Sequence, residues 1–188
     1  NTSENLSREG YTPFWENPGF SNLIVFVDFA DTDHNHPESI YGECYKENVD
    51  RTFRYFNGGT DYPFGMRQYL YNISYGQLCV ENIFPQYDET EKKITPYKLP
   101  GNGADYAQNE GAMVEEVIRQ LNASGQLGED VKLDLNNREK IVDNLTIVVP
   151  CDDGNTTRLF GDHEAYHSGN STLSGCIVRP YNILTESG

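Results

Sequence analysis

Asn22-Leu-Ile-Val-Phe-Val-Asp-Phe29 is the stretch on which the fold turns. Leu23 to Val27 is an unbroken run of branched and aromatic side chains, too short for a helix and flanked by turn formers. A strand buried on both faces has that pattern. It ends in Asp28-Phe29-Ala30-Asp31 and the polar loop Thr32 to Pro37. A second such run, Leu145-Thr-Ile-Val-Val-Pro150, follows Asp143-Asn144. Helical segments separate the two runs, so they are expected to pair in one largely parallel sheet of an α/β fold. Chemistry in such sheets gathers where strand carboxyl ends open into loops.

Working outward, residues 1–21 form an irregular lead-in around Trp15, and residues 22–188 form one domain without internal repeats. Tyr41 to Phe56 carries apolar residues at helical spacing until Asn57-Gly58-Gly59 stops it. Met66 to Asn72 reads as a short helix, and Gln77 to Phe84 as a strand ended by Pro85. Residues 86–104, punctuated by prolines and glycines, read as a long loop. Asp105 is placed to cap a helix over Tyr106 to Leu121, whose apolar stripe is Met113, Val114, Val117, Ile118 and Leu121. A connector from Glu129 to Lys140 leads into the second core run, and a loop from Cys151 to Gly175 leads out of it. In the last segment, Cys176 to Leu184, Pro180 allows an edge strand at best.

A chain of 188 residues buries enough surface to fold without metal or disulfide support. Formal charge is −15, from 14 Lys and Arg against 29 Asp and Glu, a field that repels nucleic acid and anionic membrane. No apolar run approaches the roughly twenty residues of a membrane span. With neither an initiator Met nor a signal-peptide pattern, the chain reads as a mature or trimmed product. Cys44, Cys79, Cys151 and Cys176 show no Cys-x-x-Cys spacing, which favours two disulfides in an oxidising compartment over a zinc ribbon. Of three possible pairings, loop topology favours Cys151–Cys176 and Cys44–Cys79. Asn-x-Ser/Thr triplets begin at Asn1, Asn5, Asn72, Asn122, Asn144, Asn155 and Asn170, an excess that points to an exported glycoprotein. Asn144, opening a buried strand, is expected to stay unmodified.

All four histidines follow the two core runs: His34 and His36 after the first, His163-Glu-Ala-Tyr-His167 after the second. On a helix, His-Glu-x-x-His sets two imidazoles on one face for zinc, with the glutamate beside them to polarise bound water. Here Gly161-Asp162 precede the string and Ser168-Gly169-Asn170-Ser171 follow, so barely two helical turns fit. The contrasting expectation is a solvated loop whose histidines face water. No Gly-x-Ser-x-Gly is present, and Asp28 with Asp31 are the paired carboxylates that would flank a sugar.

Three blocks resemble the immune inhibitor A-type secreted zinc metallopeptidases, metallopeptidase family six. They are Leu23-Ile-Val-Phe-Val-Asp-Phe-Ala-Asp31, Met66-Arg-Gln-Tyr-Leu-Tyr-Asn-Ile-Ser-Tyr-Gly-Gln-Leu78, and Val142 to Val148 continuing through Leu159-Phe-Gly-Asp-His163 to Arg179-Pro-Tyr-Asn-Ile183. Ile94 to Pro100 is similar to the loop before that family's long helix. The resemblance covers most of residues 22–185. It implies a zincin-like twisted mixed sheet, mostly parallel and backed by helices, with an edge strand near the carboxyl end. It also implies that zinc is held by a helix downstream of Gly188, so no metal ligand is assigned within this chain. Ile177, Val178, Arg179, Tyr181 and Asn182 would then line a cleft for polypeptide substrate, and the 188-residue chain alone would be inactive. Where related proteins carry an Asp-rich calcium loop, Leu135-Asn-Asn-Arg-Glu-Lys140 has two cations and no glycine, so calcium is not expected there. Two alternatives stand beside a secreted endopeptidase: a non-catalytic extracellular module binding protein or glycan, and zinc held in this chain by His163 and His167 with Glu164 as base.

Overall fold

The computed structural model describes residues 19–32, 49–58, 65–128, 130–136, 140–150, 160–161 and 163–185. The first core run lies within β1 (Phe20–Asp28). Helices α1 (Val49–Asn57) and α2 (Met66–Ile73) follow, then β2 (Val80–Ile83). Three two-residue strands come next, β3 (Tyr87–Asp88), β4 (Lys93–Ile94) and β5 (Tyr97–Lys98), before helices α3 (Gly103–Gln108) and α4 (Glu110–Ser124). The chain continues through β6 (Leu145–Val149), β7 (His163–Tyr166), β8 (Thr172–Leu173), β9 (Cys176–Ile177) and β10 (Pro180–Thr185). The principal sheet runs β2-β1-β6-β10-β7, with β5 also paired to β1. All its pairings are parallel except that of β10 with β7. The fold is therefore α/β, with a mixed, mostly parallel central sheet flanked by helices.

β1 and β6 pair as their composition demands, Leu23 opposite Leu145 through Phe26 opposite Val148. Strand alternation divides their side chains between two cores. Leu23, Val25, Val27, Leu145, Ile147 and Val149 pack with the α4 stripe of Met113, Val114, Val117, Ile118 and Leu121. Ile24, Phe26 and Val148 point the other way, with Phe53 and Phe56 of α1 and Met66 of α2. Each such side chain contributes about 1.5–3 kcal/mol through burial, so the central pair is the strongest organiser of the domain. At the strands' amino ends, the buried Asp143 carboxylate accepts hydrogen bonds from Ser21 N (2.7 Å) and Leu135 N (2.9 Å), tying the β6 entry to β1. Asn144 is buried as expected. Its Nδ2 donates to Asn22 Oδ1 (2.8 Å) and Thr146 Oγ1 (3.0 Å), so the amide that a glycan would occupy is already committed.

Several expectations need correction. The anticipated Tyr106–Leu121 helix is two helices, α3 and α4, broken at Asn109, whose backbone is non-helical (φ −144°, ψ 70°) and whose Oδ1 accepts from Ala112 N. An Asn that caps locally competes with the helix it interrupts. The 86–104 loop contains β3 to β5, and β5 extends the sheet at the β1 carboxyl end. β10 is not an edge strand: it lies between β6 and β7. Pro180 is tolerated because it opens the strand, and the ladder to β6 begins one residue later at Tyr181. Among the described residues the edge on this side of the sheet is β7, in a region expected to be loop. Among the described residues no disulfide is formed, and each anticipated pairing has one cysteine, Cys44 or Cys151, outside them. His34 and His36 also lie outside, as does most of the lead-in. No helix of the described residues is long and apolar enough to cross a membrane.

Candidate functional site

The His-Glu-x-x-His string begins on β7, so the helical geometry that would make it a zinc motif is absent. His163 and Ala165 are half-buried while Glu164 and Tyr166 are exposed, a period-two alternation. A spacing of four returns a side chain to the same face in a strand as in a helix. Both imidazoles therefore turn inward, towards α4, and neither lies in a loop facing water. His167, just past the strand, is only 5% exposed. Glu164, the supposed base, projects from the opposite face.

Each imidazole meets a carboxylate from α4. His163 Nε2 lies 3.0 Å from Glu110 Oε2, and its Nδ1 lies 3.1 Å from Gly161 O. Both partners are acceptors, so both contacts are hydrogen bonds only when the ring carries both protons. Burial opposes that charge, but the bonds to Glu110 and Gly161 outweigh it and raise the imidazole pKa above its ordinary 6.5. Glu110 Oε2 also accepts from Tyr181 Oη at 2.9 Å. Burial, with the Glu110 carboxylate beside it, pushes the Tyr181 phenol far above its ordinary range, so it acts as a donor.

The second clasp joins His167 Nε2 to Glu115 Oε1 at 3.0 Å, while Ser171 Oγ donates to Glu115 Oε2. Gly169 packs close beside it: a Cβ there would stand 2.2 Å from His167 Nε2 and 2.5 Å from Glu115 Oε1, so a larger residue would displace the clasp. The two clasps tie β7 at His163, and the chain just past it at His167, to α4. Arg179 closes the turn that follows, donating to the carbonyls of His167 and Gly169 and to Asn170 Oδ1, with its guanidinium 5.8 Å from the Tyr166 ring centroid.

The outer side of β7 is different. His167 N donates to Arg179 O at 2.8 Å, and Ala165 and His163 stand opposite Tyr181 and Ile183. By the antiparallel alternation, these residues turn their main-chain groups towards β10, and Glu164 and Tyr166 turn theirs outward. Among the described residues β10 is the sole strand paired with β7. What remains among the described residues is a short edge backed by α4, its outward main-chain groups suited to another extended chain, flanked by Glu164 and by Tyr166, which is 69% exposed.

The residues anticipated to line a cleft lie one strand further in. Tyr181 faces α4, Asn182 sits between Thr146 and Glu164, Val178 is buried, Ile177 belongs to the β8–β9 hairpin, and only Arg179 reaches the edge. Glu110 and Glu115 were not singled out from sequence, and five-residue spacing on a helix carries no signal that would have done so. Asp28 is buried, and Asp31 Oδ1 accepts from Gly103 N at 2.9 Å at the start of α3, so neither offers an open carboxylate pair to a sugar. No group of three or more metal-ligating side chains occurs among the described residues. Comparison of the chain with protein-family models and with curated proteins finds no match.

Proposed function

We propose that this chain is the amino-terminal part of a secreted zinc-dependent endopeptidase acting on extended polypeptides, its zinc ligands supplied by residues that follow Gly188 in the full-length protein. The observation that carries this reading is the β7 edge, whose outward main-chain groups at Glu164 and Tyr166 suit strand addition by a substrate. The resembling blocks lie largely on elements that build this edge's support, β1, β6 and β10, and the mixed, mostly parallel sheet is the coarse architecture that the zincin-like reading requires. His163 and His167 do not fit zinc, because their Nε2 atoms are engaged by Glu110 and Glu115 and Glu164 lies on the other face. The chain's own residues bind and orient the substrate backbone. Zinc, held downstream, would supply a water whose pKa falls to about 7.

Elemental analysis and a quenched-peptide assay test this together. Full-length protein is expected to hold zinc and to cleave peptide in a chelator-sensitive way, while the 188-residue chain does neither. One zinc bound per 188-residue chain, lost in His167→Ala, would sink the assignment. A non-catalytic binding module is the second reading, favoured by Tyr69 and Ile73 on one side of α2 and Tyr75, 93% exposed, just beyond it. Zinc-free, inactive full-length protein would select it.

A further inference from the structure

The geometry points to the sequence preference of the edge: an apolar or aromatic residue followed two positions later by Lys or Arg, in a peptide running antiparallel to β7. This rests on the proposal that β7 receives an extended polypeptide, and concerns which one.

Glu164 and Tyr166 project from the same face of β7, two residues apart and both exposed. Because their main-chain groups also point outward, an added antiparallel strand would place one residue directly opposite each, with side chains on that same face. Antiparallel pairing is slightly the more stable per residue. The peptide residue opposite Tyr166 then comes first, and the residue opposite Glu164 comes two positions later. Tyr166 offers an aromatic face to an apolar or aromatic neighbour. Its other neighbour is the Arg179 guanidinium, 5.8 Å from the ring centroid, which disfavours a cation at that position. The Glu164 carboxylate favours a cation opposite it, and a chain of formal charge −15 draws basic peptides towards the edge. The preference therefore has an order: Leu-x-Lys fits, Lys-x-Leu does not.

Fluorescence anisotropy with labelled, end-blocked decapeptides tests this on the 188-residue chain. Leu-x-Lys, Lys-x-Leu and Leu-x-Glu peptides in one polar extended background are compared on the native chain and on Glu164→Lys. Leu-x-Lys is expected to bind the native chain about three- to tenfold more tightly than the other two, from two cross-strand pairs. Its advantage should shrink at high salt. Glu164→Lys, folded by circular dichroism, is expected to invert the order and select Leu-x-Glu. Peptides that bind with no order, or with an order Glu164→Lys leaves unchanged, would overturn the preference and leave edge docking standing. Native chain that binds none of the peptides would overturn edge docking itself, and the preference with it.

Discussion

At the residue scale, His163 is the most informative side chain. Its two ring nitrogens both face acceptors, Gly161 O and Glu110 Oε2, so the clasp is complete only as imidazolium. The pKa in the folded chain lies above the ordinary 6.5, which gives the linkage its sign. The stabilisation is fully present below about pH 6.5 and is lost as pH rises through the folded-state value. Thermal melts between about pH 6 and 8 should therefore show the native chain losing stability as pH rises. Glu110→Gln should flatten that slope while starting from a lower melting temperature. An unchanged slope in the variant would mean that Glu110 does not hold the proton on His163. Partial exposure of both partners, 32% for His163 and 24% for Glu110, keeps the effect modest, about 1 kcal/mol or less.

At the element scale, β7 and β10 exchange the roles that local sequence suggested. Pro180 looks like an edge marker, yet it sits at the start of β10, before the ladder to β6 begins at Tyr181. β7 has only four residues, two of them polar and outward, and such a segment has too little apolar content to announce a strand. Its two sides make a sharp prediction with proline, which removes one N–H wherever it is placed. Glu164→Pro removes an outward N–H, so stability should hold within about 1 kcal/mol while peptide binding at the edge is lost. Ala165→Pro removes an N–H directed at β10 and leaves its acceptor there unpaired, which should cost about 1–3 kcal/mol in urea unfolding. Equal destabilisation by both variants would mean that the alternation along β7 is misassigned.

At the scale of the whole molecule, the sheet is packed from both sides, α4 on one and α1 with α2 on the other. Ile147 faces the α4 side and Ile24 the other, and both are fully buried. Truncating either to alanine should lower stability by about 2–5 kcal/mol in denaturant melts. A negligible loss at Ile24 would mean that the α1–α2 layer is not packed as described. Burial on both faces is also why this part of the fold was legible in the sequence. When every side chain of Leu23 to Val27 and Leu145 to Val149 must be buried or satisfied, composition alone reports the strand, and its parallel partner follows from the helices between. The α4 stripe was legible for the same local reason, and the helix ends at Gly125, whose φ of 64° suits glycine. The candidate site was not. A spacing of four residues places two histidines on one face of either a helix or a strand, so the string itself does not choose between them. The choice was made by contacts 52 and 53 residues away, where Glu115 and Glu110 hold the imidazoles. Sequence by itself determined the α/β class and the central strand pair, because those follow from local burial pattern. Only tertiary structure decided which strand is the edge and what its histidines do, because strand order and imidazole–carboxylate pairing are set by non-local packing.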